Sequence, residues 1–560
     1  MTSDFRRVLT SALVIAAPLV LSIAAEAAAP EWVNIQLNRD ETTQLQNEEQ
    51  IAINPGNPDN MAAVWRDFRL GYRRVGWGYT FDGGETWTEG GLISEPTYQM
   101  QSDPGITADN YGNFYAIVLS YTGSTAEPNG LIVLKSTDGG VTWGKPLPVV
   151  NGVPNVFEDK EFIACDRTYG RHDGNLYVTW TRFGATTDIL ARWSADSGKS
   201  WSNTIEVSDE SSVQFPIPVV GRGGEVYIAW AGYANSAIML DVSTDGGASF
   251  GTDRRVVSVN TVSTVIAGGI NAYSSPHMDA DIGNGDYSGR LYIAFMDRRE
   301  GLRDHDIWVI SSDNMGLTWT TPVRVNDDEP NNGRDQFHPW LTVDNTGVVT
   351  VVWLDRRHDE QNLTYHCYIS QSTDGGATWS PNVQVSTEPS DPIYAFPGSP
   401  GRDYPETKGQ DPSSTGYPTI SATMAGLLGE YIGVVSWDGH PTPIWTDIRN
   451  LNQDVYAGYI ERPEEVVWPT AADLARGLVI VPNPIRPGRE VTVWSGEEGP
   501  GVLSIHDAMG RAIRTLSYTQ TADRRMTLRT EEIGGAAGGV YFLRLSTLTG
   551  TSKGRLILVE

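Results

Sequence analysis

Four times the chain places an acid two residues before an arginine at the end of an apolar run: WRDFR (65–69), FMDRR (295–299), WLDRR (353–357) and WTDIR (445–449). Residues two apart on a strand share a face, so Asp67/Arg69, Asp297/Arg299, Asp355/Arg357 and Asp447/Arg449 read as acid–base pairs at strand ends. Such forks suit two tasks. They can lock neighbouring elements together through bidentate ion pairs, or they can turn Arg69, Arg299, Arg357 and Arg449 toward an anionic ligand. A second group of polar residues precedes other apolar runs: Glu48 and Glu49, Asp103, EDKEF (158–162), SPHMDAD (275–281), His338 with Trp340, and Glu430 with Tyr431. Carboxylates facing one another across a cleft are the material of general acid–base catalysis. The acids Asp67, Asp103 and Glu430 are the candidates for that chemistry.

The elements that must position these groups are strands. Runs such as GNFYAIVLSY, GNLYVTWTR, GEVYIAWAG, GRLYIAFMD and GVVTVVWLD are β-branched and aromatic, and each opens on a glycine turn. Between them one short box recurs, as YTFDGGETW, KSTDGGVTWGKP, WSADSGKSW, VSTDGGASF, SSDNMGLTW and QSTDGGATW. Its acid position falls at Asp82, Asp138, Asp196, Asp245, Asn314 and Asp374, at intervals of 49 to 69 residues. That interval is the length of one four-stranded sheet, and sheets repeated in this way pack radially as a β-propeller.

Within the box the acid can accept backbone N–H bonds while glycine allows a positive φ. Six copies are too many for one active site, so the box reads as a folding device. A seventh unit (427–460) lacks a box, and EWVNIQLNRD near the start of the chain can supply its outer strand, closing the ring without an edge. Seven blades are expected; six is the alternative. If the box joins strands three and four at one end, the pairs and polar groups above lie at the other end, where propeller ligands meet the axis.

These boxes resemble those of the sialidase-like, or BNR-repeat, propellers over residues 31–462. The resemblance implies a propeller fold and glycan-directed function. For an exo-α-sialidase it implies an arginine cluster on a sugar carboxylate, a Tyr nucleophile helped by a Glu, and an acid/base Asp. The matching residues are Arg69, Arg299, Arg357 and Arg449, then Tyr431 with Glu430, and Asp67 or Asp103. The family's Arg-Ile-Pro signature ahead of the first box is absent, and that place reads NEEQIAINPGNPDN. Three readings follow: a glycoside hydrolase, a glycan-binding propeller without turnover, and a surface adhesion protein.

Composition narrows the partners. The net charge of −28, spread along the chain, disfavours nucleic acid and anionic membranes. Arg6 and Arg7 before an apolar run ending in Ala25-Glu26-Ala27 read as a secretory signal over residues 1–29, and no later run is long enough to span a bilayer. Cys165 and Cys367 allow one disulfide or two buried thiols, but no cysteine metal site. No cofactor is required. Asp279, Asp281 and Asp286, set among glycines, offer oxygen ligands for Ca²⁺, with a plain turn as the alternative.

Residues 386–418 form a Pro/Gly-rich insertion carrying Arg402, Asp403 and Tyr404, a lid or a disordered loop. A linker (463–477) then leads to a small immunoglobulin-like β-sandwich over 478–560. Its PNP, Asp507, Gly510-Arg511 and Gly539-Val540-Tyr541 resemble the sorting domains of the type IX secretion system. That resemblance implies passage across an outer membrane by that machinery, then release or attachment at the cell surface.

Overall fold

The computed structural model describes residues 32–93, 98–122, 129–260, 262–392 and 428–460, and in the C-terminal part 478–481, 490–495, 500–507, 510–518, 525–529, 539–548 and 550–558. The signal segment, residues 393–427 with Arg402, Asp403 and Tyr404, and the linker lie outside the described residues. The chain divides into two compact units, 1–460 and 461–560.

The first unit is all-β, as its composition predicts. Seven four-stranded antiparallel sheets follow one another. Blade one is Gln46–Ile53, Met61–Asp67, Arg74–Thr80 and Thr88–Leu92; blade two is Met100–Ala108, Phe114–Tyr121, Gly130–Ser136 and Leu147–Asn151. Blade three is Phe157–Cys165, Leu176–Phe183, Thr187–Ser194 and Ile205–Glu206; blade four is Val213–Val220, Val226–Gly232, Ala237–Ser243 and Arg254–Ser258. Blade five is His277–Ala280, Leu291–Asp297, Asp306–Ser312 and Val323–Arg324; blade six is Gln336–Val343, Val349–Asp355, His366–Ser372 and Val383–Gln384. Blade seven joins Gly433–Trp437, His440–Asp447 and Asp454–Tyr459 to Val33–Gln36, with Val33 opposite Tyr459. The first strand of each blade touches that of the next, and blade seven returns to blade one. The ring is therefore closed, with the N-terminal strand completing blade seven.

The second strands of blades one, two, four, five and six are buried throughout, because a sheet between two other sheets has neighbours on both faces. Between blades four and five an extra hairpin, Ser263–Ile266 with Ile270–Tyr273, turns through Gly268 and Gly269 at φ 82° and 80°. Cys165 and Cys367 are buried and unbonded to each other.

The boxes sit where strand three turns into strand four. In blade two, Ser136 Oγ donates to Asp138 Oδ1 (2.8 Å), the Thr142 N–H donates to the same oxygen (2.9 Å), and Thr142 Oγ1 donates to Oδ2 (2.6 Å). Blades one, three, four and six repeat this set through Asp82, Asp196, Asp245 and Asp374. In blade five, Asn314 Oδ1 accepts from the Thr318 N–H at 2.9 Å, so a neutral amide does the same work. The box glycines also bring blades together. A Cβ on Gly140 (φ +90°) would lie 2.9 Å from the Ala62 Cβ of blade one, and one on Gly246 (φ +77°) would lie 2.6 Å from the His172 ring of blade three.

In the second unit, Val479–Val481, Glu490–Trp494 and Arg525–Arg529 form one sheet. Gly501–His506, Ala512–Tyr518, Gly539–Thr547 and Thr551–Leu558 form another. Leu478, Ile480, Val491, Val493, Leu503, Ile505, Leu528, Leu543, Leu545 and Leu556 make one core from both sheets.

Candidate functional site

Each first strand enters from the end of the blade opposite the box and runs toward it, as the pairing of Gln46 with Asp67 and of Ile53 with Met61 shows in blade one. Close to that entry, the first strands of five blades carry a β-bulge. In every one a residue other than glycine takes a positive φ: Glu48 (54°), Asp103 (49°), Lys160 (54°), Phe215 (61°) and His338 (49°). Holding such a residue in the left-handed region costs about 1–3 kcal/mol, and bulges re-aim side chains. What these bulges aim at is the axis.

Lys160 of blade three ion-pairs with Asp103 of blade two (2.6 Å) and with Glu430, at the entry to blade seven. Blades three and seven are not neighbours, so this contact crosses the centre of the ring. Glu48 of blade one joins them. Its Oε1 lies 2.9 Å from Arg66 Nη1, and Glu48, Asp103 and Glu430 each place an oxygen within 4.8 Å of the other two. Ser102 Oγ donates to Asp103 (2.5 Å), Arg66 Nε donates to Asn47 Oδ1 (2.8 Å), and Arg73 Nη1 donates to the Tyr121 hydroxyl (2.8 Å).

One step further along the strands comes an aromatic layer. Phe162 packs on Tyr431 (5.3 Å between centroids) and on Trp340 (5.7 Å), and Trp340 packs on His277 (4.4 Å). This layer packs directly behind the charged cluster, since Phe162 and Tyr431 follow Lys160 and Glu430 by one or two residues. The extra hairpin reaches over its rim: His338 Nε2 meets the Asn271 carbonyl (3.0 Å), Arg356 Nη2 donates to the Ala267 carbonyl (2.8 Å), and Tyr273 packs on Phe215 (4.7 Å).

Burial and charge drive the carboxyls of this site apart. Burial pushes the Glu48 and Glu49 carboxyls up to about 8, against a smaller opposing pull from Arg66 on Glu48 and from the Thr446 hydroxyl on Glu49. Burial likewise lifts Asp159 to about 7 and Glu161 well above the usual range. Asp103 goes the other way. Burial would raise it, but Lys160, Arg66 and the Ser102 hydroxyl together hold it well below an ordinary aspartate. Burial also keeps His338 and His277 neutral, down to about 4 and about 3. The result is one firmly ionised carboxylate beside carboxyls that retain their protons near neutrality.

Of the four catalytic candidates from the sequence, Asp103 and Glu430 meet at the axis. Asp67 and Tyr431 do not take the places expected for them. Asp67 is fully buried in its own blade, accepting from Trp65 Nε1 (3.0 Å) and Arg69 Nη2 (2.7 Å). Tyr431 belongs to the aromatic layer, with its hydroxyl donating to the Pro104 carbonyl at 3.3 Å. Its ring packs against Phe162 and Trp340.

The four arginines form forks within their own strands instead of converging on the axis. Arg69, Arg299, Arg357 and Arg449 each bond the aspartate two residues before them. The remaining donors run outward to Glu89, Ser258, Asp327 and Asn34, on or beside outer strands. The guanidiniums beside the axial carboxyls are others: Arg66, 2.9 Å from Glu48, and Arg73, which feels Asp103 and Glu48; Arg356 instead bonds the extra hairpin and lies over the Phe337 ring.

The three aspartates read as a calcium set do not converge. Asp279 accepts from the Val343 N–H (2.8 Å), Asp281 from the Gly283 N–H (2.8 Å), and Asp286 is exposed. Among the described residues, the carboxylates close enough to share a cation are Glu48, Asp103 and Glu430, and the Lys160 ammonium already bridges two of them.

The hairpin and Lys160 had no assigned part in the sequence reading. A G-G turn inside TVIAGGINAY is the signal that could have found the hairpin. Nothing in EDKEF marks Lys160 as the one residue that crosses the ring.

The chain is similar to a curated sialidase of Micromonospora viridifaciens, 28% identical over 212 residues. That stretch is 30% of this chain and 30% of the sialidase, so less than a third of that protein's length is matched. Among solved structures, the Hadza microbial sialidase Hz136 aligns over 72% of this chain and 74% of its own, at 14% identity and a TM-score of 0.41. The GH93 α-L-arabinofuranosidase of Fusarium graminearum aligns over 57% and 92%, at 13% and 0.40. The NanB sialidase of Streptococcus pneumoniae aligns over 59% and 68%, at 10% and 0.42. No family model matches the chain.

Proposed function

We propose that this protein is a secreted, glycan-directed propeller that hydrolyses a glycosidic bond at the axial site. The observation that carries this reading is the meeting of Glu48, Asp103 and Glu430 within 4.8 Å at the axis, where burial pushes Glu48 up to about 8 while Lys160 and Arg66 hold Asp103 low. In this reading Glu48 donates a proton to the leaving oxygen, and Asp103 stabilises or attacks the oxocarbenium centre. Their oxygens lie within 4.8 Å. That spacing leaves no room for the water an inverting enzyme needs, which requires roughly 6.5–9.5 Å between carboxyls, and it suits retention of configuration.

The ligand's charge is suggested by Arg356. Among the described residues its Nε and Nη1 have no hydrogen-bond acceptor, its ion-pair partner Asp335 is 3.7 Å away, and its side chain is buried. An acidic sugar would supply what it lacks, so a sialoside or uronoside is favoured over a neutral glycoside here.

A second reading, binding without turnover, is favoured by Lys160. Its ion pairs to Asp103 and Glu430 already satisfy two of the acids. An aryl sialoside, an aryl glucuronide and neutral aryl glycosides, offered to the full chain, separate the two. Release of the aryl group, lost in Glu48→Gln, supports hydrolysis. Affinity for an acidic glycan with no release supports the binder.

The N-terminal signal-like segment and the C-terminal strands with Asp507 and Gly510-Arg511 support export, by a type IX route in this reading. Among the described residues, no helix is long and apolar enough to cross a membrane.

A further inference from the structure

On the face that carries the boxes, the loops joining strands one and two of blades two and three hold two aromatic rings out in solvent. Tyr111 is 72% exposed and Tyr169 is 74% exposed. Single exposed aromatics are ordinary, but these two share one anchor. The Tyr111 hydroxyl donates to Asp173 Oδ2 (2.8 Å), and the Tyr169 N–H donates to Asp173 Oδ1 (3.1 Å). Asn110 Nδ2 donates to that same oxygen at 2.7 Å, tying the blade-two loop to the blade-three loop. The Asp109 carboxylate accepts the Tyr111 N–H at 2.9 Å and fixes the base of its loop.

Tyr169 takes φ +55°, a strained conformation for a bulky residue, and it does so without burying its ring. Asp173 therefore fixes the Tyr111 ring through its hydroxyl and the Tyr169 backbone through its N–H, and both rings are left exposed. Arg171, exposed in the same loop, adds donors beside them.

The geometry points to a second carbohydrate site on this face, in which the apolar C–H face of a neutral pyranose lies on Tyr111 or Tyr169 while its hydroxyls meet Asp173, Asn110 and Arg171. A sugar ring offers one weakly polar face and a hydroxyl edge, which matches an aromatic ring flanked by a carboxylate and a guanidinium. Asp109 bonds the Tyr111 backbone and Asp173 its hydroxyl, so two carboxylates adjoin the site, and the whole chain carries −28. An acidic sugar would be repelled here, so the ligand class is a neutral glycan. Because this site and the axial site open on opposite ends of the propeller, it would hold the protein on a polymer or a glycan-coated surface. It would not extend one short substrate. The inference stands apart from the hydrolytic reading of the axial site.

Native-gel affinity electrophoresis of the full chain tests it, with xyloglucan, mixed-linkage β-glucan, galactomannan or polygalacturonate cast in the gel. The wild type should be retarded by at least one of the neutral polysaccharides and not by polygalacturonate. The double variant Tyr111→Ala/Tyr169→Asn should lose that retardation; asparagine keeps the positive φ accessible, so the loop retains its shape. Glu430→Gln should be retarded like the wild type. Three outcomes would overturn the inference: no retardation by any neutral polymer, retardation that survives loss of both tyrosines at unchanged Tm, or retardation lost equally in Glu430→Gln. The last would place the contact at the axial site.

Discussion

Both ends of the blades are rich in carboxylates, but they are used in opposite ways. At the box end, five aspartates and one asparagine make the same bonds to the same turn positions. Those carboxyls whose shift is resolved are held low by hydroxyl and amide donors. At the other end no two blades agree: Glu48, Asp103, Lys160, Phe215 and His338 occupy equivalent strained bulges. Repetition marks the groups that build the ring. Divergence at one repeated position marks the groups that the ring holds up.

That contrast can be broken from either side, most forcefully at Lys160. Replacing it by methionine leaves Asp103 and Glu430 facing each other in a buried site without their cation. Removing one partner of a buried pair costs about 3–5 kcal/mol. Thermal denaturation of Lys160→Met should show the largest fall in Tm of any single substitution discussed here. A Tm near that of the wild type would mean the cluster is wetter than its burial implies.

At the box end, Gly140→Ala puts a Cβ 2.9 Å from the Ala62 Cβ at a φ of +90°. The strain and the displaced blade contact should cost about 1–3 kcal/mol, read as a lower denaturant midpoint with unchanged slope.

The two ends should also answer differently to pH. Glu48 and Glu49 titrate near 8 in the fold, against 4.5 as ordinary glutamates. The folded state therefore binds more protons than the unfolded state between those values. The stability they contribute is full below about pH 4.5 and is lost as pH rises through 8. His277 and His338, held neutral in the fold, act in the other direction below 6.5. From pH 6.5 to 8 the glutamates prevail. The unfolding free energy should fall across that window by no more than about 1.4 kcal/mol per pH unit for each group, the Tm should fall with it, and Glu48→Gln should flatten the slope. A Tm independent of pH there would sink the assignment of Glu48 as a protonated acid.

The smallest effect is the most diagnostic for the boxes. Asp138→Ala should cost about 1 kcal/mol through its lost turn bonds. Asp138→Asn should cost almost nothing, because Asn314 already does this work in blade five.

The box, the strand order and the N-terminal strand of blade seven were legible because each rests on local chemistry repeated along the chain: glycine turns, alternating apolar residues and fixed offsets. The site was legible only in part. Asp103 and Glu430 stand at strand entries, where periodicity puts them near the mouth. The arginines misled for a physical reason. In WRDFR, FMDRR and WLDRR, alternation pairs Asp with the Arg two residues on, and that Arg folds back onto its own strand. The guanidinium that reaches the axial cluster from such a strand end, Arg66, is the immediate sequence neighbour of the paired Asp67, on the opposite side of the strand. Bulges shift register by one residue, and no residue type announces a bulge built on Glu48 or Lys160 instead of glycine.

The central claim is that chemistry belongs to the axial end and only folding to the boxes. It is tested most directly by the turnover of acidic aryl glycosides by Asp103→Asn beside Asp138→Asn, in the full chain. The account predicts that Asp103→Asn loses about 10²–10⁴-fold in kcat/KM, with Asp138→Asn indistinguishable from wild type. Full activity in Asp103→Asn, or equal losses in the two variants, would contradict it.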